Sequence, residues 1–150
     1  MAKPVHSGLF IGSGADSYKF AGSILHCARD PWYTNAPSDS LQIAPNVRLM
    51  HYNEMALNMV DADHPKYFSD HMVDCGLNFI SDRLAEGDAC LVHCNEGVSR
   101  GPSMGLLWLF EHGFLSDDFR KALVEFRLLY PRYMPNTGIF EYLKVRCKSA

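Results

Sequence analysis

The apolar run Ala89-Cys90-Leu91-Val92 passes without a break into His93-Cys94-Asn95-Glu96-Gly97-Val98-Ser99-Arg100, and Pro102 then opens a helix-like stretch. A short apolar run bounded by turn residues reads as a buried strand. Proline is at home in the first turn of a helix. The chain therefore needs a strand–loop–helix unit, with a thiol at the strand's end and a guanidinium at the helix's start.

Such a junction suits an anion. N–H groups at a helix N-terminus point outward, and the helix dipole favours negative charge there. Gly97 lets the loop fold tightly enough for successive N–H groups to face inward. Arg100 offers a planar fork for two oxygens of a phosphoryl group. A free thiol is only a few per cent ionised at neutral pH, and a helix N-terminus with a nearby cation activates it. His93 is placed to orient the loop through its ring nitrogens. Cys94 thus reads as a nucleophile in an oxyanion cradle, suited to in-line attack on a phosphate monoester. The bare Cys-x5-Arg spacing is a weak signal, and the flanking strand, Gly97, Ser99 and the helix give it weight.

The rest of the sequence supplies the elements such a unit packs into. Residues 8–12, 23–28 and 47–52 read as strands, and residues 15–21 as a short helix. A longer helix begins at Pro65, with Phe68, Met72, Val73, Leu77, Ile80 and Leu84 on its apolar face, and ends at Gly87. After the Pro102 helix, closed by Gly113, Ser116 reads as the N-cap of another helix, with Asp117 and Asp118 in its first turn. The last helix covers residues 137–147. Residues 29–45, with Pro31, Pro37, Pro45, Trp32 and Tyr33, read as a loop at the surface. Strands alternating with helices predict one α/β domain over residues 1–150, with a central, mostly parallel sheet flanked by helices. In such sheets the site lies beyond the carboxyl ends of the strands, where Cys94 falls.

The five cysteines (Cys27, Cys75, Cys90, Cys94, Cys147) form an odd set without a CxxC pair, which favours free thiols in a reducing, cytoplasmic setting. Cys27, Cys75 and Cys90 read as core thiols, and either of the first two stands as a redox partner for Cys94. A net charge of −3 without a basic block argues against a nucleic-acid or membrane-surface partner. The longest apolar run, Leu106-Leu107-Trp108-Leu109-Phe110, is too short to span a bilayer. The set His26, Cys27, Cys90, His93 and Cys94 lacks the spacing of a metal site.

The stretch from His93 to Arg100 resembles the signature of the cysteine-based protein phosphatases, in particular the small, single-domain dual-specificity branch. Gly8-Leu9-Phe10-Ile11-Gly12-Ser13, Phe79-Ile80 and Pro135-Asn136-Thr137-Gly138-Ile139-Phe140 are similar to recurring segments of that branch. The resemblance implies a phosphotyrosine-phosphatase-like fold and a cysteinyl-phosphate intermediate, with neither metal nor organic cofactor. It makes Cys94 the nucleophile. It makes Arg100 and the backbone of Asn95, Glu96, Gly97, Val98, Ser99 and Arg100 the phosphate cradle, which would also take sulfate or vanadate. It further implies a general acid on an upstream loop, for which Asp61 and Asp63 both qualify. Alternation of Leu57 and Met59 into the loop favours Asp61, and counting back from Phe79-Ile80 favours Asp63.

Relatives with this signature carry Ser or Thr directly after the arginine, where this chain has Gly101. Slower breakdown of the intermediate is therefore expected, and Gly101→Ser is expected to speed turnover. Ser103 lies two residues further on. Asn136 reads as a helix cap. The substrate implied is a phosphorylated protein or peptide, with phosphotyrosine and phosphoserine or phosphothreonine both admitted. Glu96 disfavours polyanionic ligands by like-charge repulsion. The alternatives are a catalytically weak phospho-binding module, favoured by Gly101, and a rhodanese-type sulfurtransferase, which also uses a loop thiol before a helix.

Overall fold

The structure, a computed structural model, describes residues 1–29 and 40–148. Pro31, Trp32, Tyr33 and Pro37 lie outside the described residues. One seven-stranded sheet has the order β1-β2-β7-β3-β6-β5-β4. Its strands are β1 Lys3–His6, β2 Leu9–Gly12, β3 Ser23–Cys27, β4 Leu41–Ala44, β5 Val47–His51, β6 Glu54–Leu57 and β7 Cys90–His93. The helices are α1 Gly14–Ser17, α2 Asp70–Ala85, α3 Arg100–Glu111, α4 Phe119–Leu129 and α5 Thr137–Arg146, with a 3-10 turn at Pro65–Tyr67.

The middle of the sheet is parallel: β7 pairs in parallel with β2 and β3, and β3 with β6. Antiparallel pairs, β1 with β2 and β4–β5–β6, extend it on both sides, so the sheet is mixed. All four residues of β7 are buried, as a strand covered on both faces requires. Helices α2 and α3 lie against β3 and β7 and against each other, and α4 and α5 pack on α3. Gly101 and Gly105, one turn apart on α3, face the sheet, and a Cβ on either would collide with His93 or Ile11. The two missing side chains bring α3 down onto β7 and β2.

Three local expectations are corrected. Residues 41–44, read as part of a loop, form the edge strand β4, whose Leu41 and Gln42 pair with Leu49 and Arg48. Its side chains are largely exposed, so the strand carries no apolar pattern to read. The helix expected from Pro65 begins instead at Asp70, where the Ser69 hydroxyl accepts from Met72 N, and Pro65 opens only the 3-10 turn. The cap of α4 is Asp118, not Ser116: its carboxylate accepts from Arg120 N and Lys121 N, while the Ser116 hydroxyl accepts from Asp118 N.

Candidate active site

The loop from Cys94 to Arg100 leaves β7 and enters α3, and its carbonyls from Asn95 to Val98 are all taken by donors from outside it. Asn95 O accepts from Gly14 N at 3.0 Å, and Val98 O from Met134 N at 2.7 Å. Gly97 O accepts from the Tyr130 hydroxyl at 2.5 Å, and Glu96 O from Arg132 Nη2 at 2.9 Å. Among the described residues no backbone acceptor outside the helices takes the N–H of Asn95, Glu96, Gly97, Val98 or Ser99. With the carbonyls fixed outward, the N–H groups are left to face the loop's hollow, the arrangement an anion needs.

Each support has a local cause. Gly97 has φ of +73°, and a Cβ there would stand 2.9 Å from Gly12 C and O. Only glycine combines that torsion with that closeness. The Gly14 donor is held by a capping box, in which Ser13 and Asp16 cap α1 reciprocally. Burial opposes charge on Asp16, yet hydrogen bonds from Ser13 and the Met1 ammonium at 3.2 Å together outweigh it and hold the carboxyl below its usual range. The segment from Tyr130 to Asn136 clamps the other side of the loop, and Asn136 N also donates to the Ser99 hydroxyl. Sequence reasoning missed this clamp; its signal was the cluster Tyr130, Tyr133 and Arg132 between two helices, where a plain connection would be polar.

Cys94 is almost fully buried, with 2% of its surface exposed. It nevertheless lines a cavity of about 130 Å³ together with Asp61, Asn95, Glu96, Val98, Ser99 and Arg100. Arg100, 6% exposed, donates from Nη1 to Met59 O at 2.9 Å, which anchors the guanidinium and ties the loop after β6 to the cradle. Of the two upstream carboxylates, Asp61 lines the cavity and Asp63 is exposed outside it. Asn136 donates from Nδ2 to Asp61 Oδ1. Its side chain makes no cap bond to α5, contrary to the reading of Asn136 as a cap: the amide is spent on the carboxylate. The start of α5 also presses on the acidic loop, since a Cβ on Gly138 would collide with Ala62 O.

The space around Gly101 corrects the expectation about this position. A Cβ there would meet His93 C at 2.8 Å and Cys94 N at 2.9 Å, so α3 lies too close to β7 for a side chain. Ser103 supplies no hydroxyl to the cavity either, because it is buried and bonded to the Tyr133 hydroxyl at 2.8 Å. Behind the loop, His93 is 3% exposed and faces His26 on β3. Burial first, and then the His26 ring, push His93 down to about 4, against a hydrogen bond to the Cys94 carbonyl. Cys27 and Cys90 are fully buried, and burial pushes both thiols up. Cys75 is half-buried on α2 rather than a core thiol. Among the described residues no cluster of three His, Cys, Asp or Glu side chains is arranged to hold a metal.

The fold is that of the cysteine-based phosphatases. Similar solved structures include a human tyrosine phosphatase-like serine/threonine/tyrosine-interacting protein, with TM-score 0.66 and 21% identity over 97% of this chain and 94% of that one. Human DUSP28 matches with TM-score 0.65 and 21% identity, over 96% and 90% of the two chains. The PTP-2 phosphatase of Cydia pomonella matches with TM-score 0.68 and 15% identity, over 96% and 88%. No protein-family model and no curated protein matches the sequence.

Proposed function

We propose that this chain hydrolyses phosphate monoesters on proteins through a cysteinyl-phosphate intermediate. One observation carries the reading: Cys94, Arg100, Asp61 and a loop with every carbonyl from Asn95 to Val98 turned outward share one phosphate-sized cavity. In the reaction, the Cys94 thiolate attacks phosphorus in line, forming the S–P bond as the ester P–O bond breaks. Asp61 gives its proton to the departing oxygen, and its carboxylate then takes a proton from the water that cleaves the S–P bond. The loop N–H groups and the Arg100 fork stabilise charge on the three equatorial oxygens. Asp61 is preferred to Asp63 because it alone lines the cavity.

Phosphotyrosine, phosphoserine and phosphothreonine all fit the proposal, and Glu96 on the cavity wall disfavours inositol polyphosphates. A free nucleophilic thiol suits a reducing compartment such as the cytoplasm. No helix among the described residues is long and apolar enough to cross a membrane. A phospho-binding module with weak turnover is the second reading, favoured by Gly101, where no hydroxyl has room to assist the leaving thiolate.

The test is hydrolysis of para-nitrophenyl phosphate in EDTA, with and without vanadate, by the wild type and Cys94→Ser. Metal-independent, vanadate-sensitive turnover lost in Cys94→Ser is expected. Equal rates in the two proteins contradict the proposal. Phosphopeptide binding without turnover by the wild type supports the second reading.

A further inference from the structure

Behind the candidate nucleophile, three polar side chains line up across three strands. Glu54 Oε1 on β6 lies 2.6 Å from His26 Nε2 on β3, and His26 Nδ1 lies 2.5 Å from His93 Nε2 on β7. His93 Nδ1 then lies 3.3 Å from the Cys94 carbonyl oxygen. The sheet register produces the row: His26 sits opposite His93 on one side and opposite Ala56 on the other. Glu54, two residues before Ala56, points to the same face as Ala56. The imidazole rings meet edge to face, 84° apart with centroids at 4.6 Å, and both are buried. The row lies on the face of the sheet opposite Leu25, which packs towards Gly76 of α2.

Counting protons decides how the row is charged. Its two ends, an ionised carboxylate and a carbonyl, only accept, so three contacts need three N–H groups. Two neutral imidazoles supply two. One ring must therefore carry both protons. We infer that His26 is an imidazolium ion paired with Glu54, and that this pair fixes His93 as the Nδ1–H tautomer that holds the Cys94 carbonyl.

Burial of His93 agrees, since it favours the neutral ring there, and the His26 hydrogen bond holds Glu54 below the usual carboxylate range. The charged and titratable groups facing the pair are His93 and Cys94 from β7 and its loop, Asp16 from α1 and His51 from β5. The last lies 4.0 Å from Glu54 Oε2.

The consequence reaches the cradle through one rigid plane. The Cys94 carbonyl and the Asn95 N–H belong to the same planar peptide unit, so orienting one orients the other. Asn95 N–H opens the row of donors that a bound phosphate would meet. With Glu54 ionised but without the extra proton, His26 spends its one N–H on Glu54, and His93 must give its own to His26 Nδ1 and turn a lone pair on the Cys94 carbonyl. Two facing acceptors repel, and the first donor of the cradle loses its aim. Glu54 and His26 are thus positioning residues for Cys94, at a distance from the reacting atoms. Their influence on turnover rests on the function proposed above, but the proton placement does not.

Nitrogen–proton correlation spectra of the imidazole rings in the wild-type protein at pH 7 test the placement directly. The expected pattern is His26 protonated on both nitrogens and His93 on Nδ1 alone. A neutral His26, or His93 carrying its proton on Nε2, overturns the inference. In Glu54→Gln the counter-charge is gone and the amide N–H can donate to His26 Nε2, so His26 loses its extra proton and keeps one on Nδ1, while His93 stays protonated on Nδ1. A His26 that stays protonated on both nitrogens in Glu54→Gln overturns the inference. The wild-type spectra decide the matter if the variant does not fold. Both readouts are independent of phosphate hydrolysis, so an inactive wild type refutes the proposed function without touching this result.

Discussion

Gly101 offers the sharpest test of how α3 is seated. Replacing it with alanine or serine puts a Cβ 2.8 Å from His93 C, 2.9 Å from Cys94 N and 3.0 Å from His93 Cα. These are backbone atoms at the end of β7, a strand held in register by β2 on one side and β3 on the other. They have no room to yield, so α3 must move away from the sheet and open its buried contacts. Overpacking of this kind costs about 1–3 kcal/mol. Removing a glycine from a helix returns at most about 1 kcal/mol. Against backbone atoms the cost lies at the upper end of that range, about 2–3 kcal/mol, so the net loss is about 1–2 kcal/mol, and at this chain length the melting temperature should fall by roughly 2–8 °C. Alanine and serine should fall alike, because the cost lies in the Cβ and not in the hydroxyl. Displacing α3 also displaces Arg100 and Cys94 relative to each other, so turnover of para-nitrophenyl phosphate should drop about tenfold or more. Thermal unfolding followed by circular dichroism, with turnover on the same samples, checks both effects. A serine variant as stable as the wild type that turns over faster than the alanine variant would refute the argument.

Removing the carboxylate in Asp61→Ala should slow hydrolysis of a phenyl phosphate, a poor leaving group, by about 10²–10⁴. Asp63→Ala should stay near the wild type, and the reverse order would return the acid's role to Asp63. Asn136→Ala frees the Asp61 carboxylate and should slow the same substrate about tenfold, with little change for para-nitrophenyl phosphate; equal losses on both would show that Asn136 supports only the fold. Tyr130→Phe leaves the Gly97 carbonyl without its donor and should cost about 1–3 kcal/mol in urea unfolding, so a midpoint equal to the wild type contradicts the carbonyl accounting. His93 is depressed from 6.5 to about 4, so the unfolded chain binds its proton first as the pH falls. Stability present above pH 6.5 should be lost towards pH 4, on the order of 3 kcal/mol from this group. His93→Asn should flatten that slope; a wild-type curve already flat over the same window contradicts it.

The parts of this molecule that were legible in the sequence are those where one local signal dominates. Leu91 and Val92 announce a buried strand, Pro102 a helix start, and the glycine between them a tight loop. The paired placement of Cys94 and Arg100 follows from that unit alone. The edge strand β4 was not legible because its exposed Leu41, Gln42 and Ile43 show no inward face, and its pairing depends on β5. The start of α2 was misread because Pro65 fits a first helical turn and a 3-10 turn equally well, and only the Ser69 cap separates them. Asn136 looked like a cap because asparagine caps helices. Its partner Asp61 is distant in sequence, and no local rule finds it. The same holds for the row Glu54, His26 and His93, which parallel register assembles from three separate strands. Gly101 was visible as a departure from the expected hydroxyl, but its cause, the closeness of α3 to β7, is a property of packing.

The central claim is that Cys94 takes the phosphoryl group onto sulfur. Mixing the protein with para-nitrophenyl phosphate, quenching in acid within the first turnover and mapping the phosphoryl group by peptide mass spectrometry tests it without intermediary assumptions. The account predicts a phosphoryl group on the peptide that contains Cys94, acid-stable, absent from Cys94→Ser and absent when vanadate is present. Product release with no phosphoryl group on Cys94 at any quench time, or with the group on another residue, would contradict it.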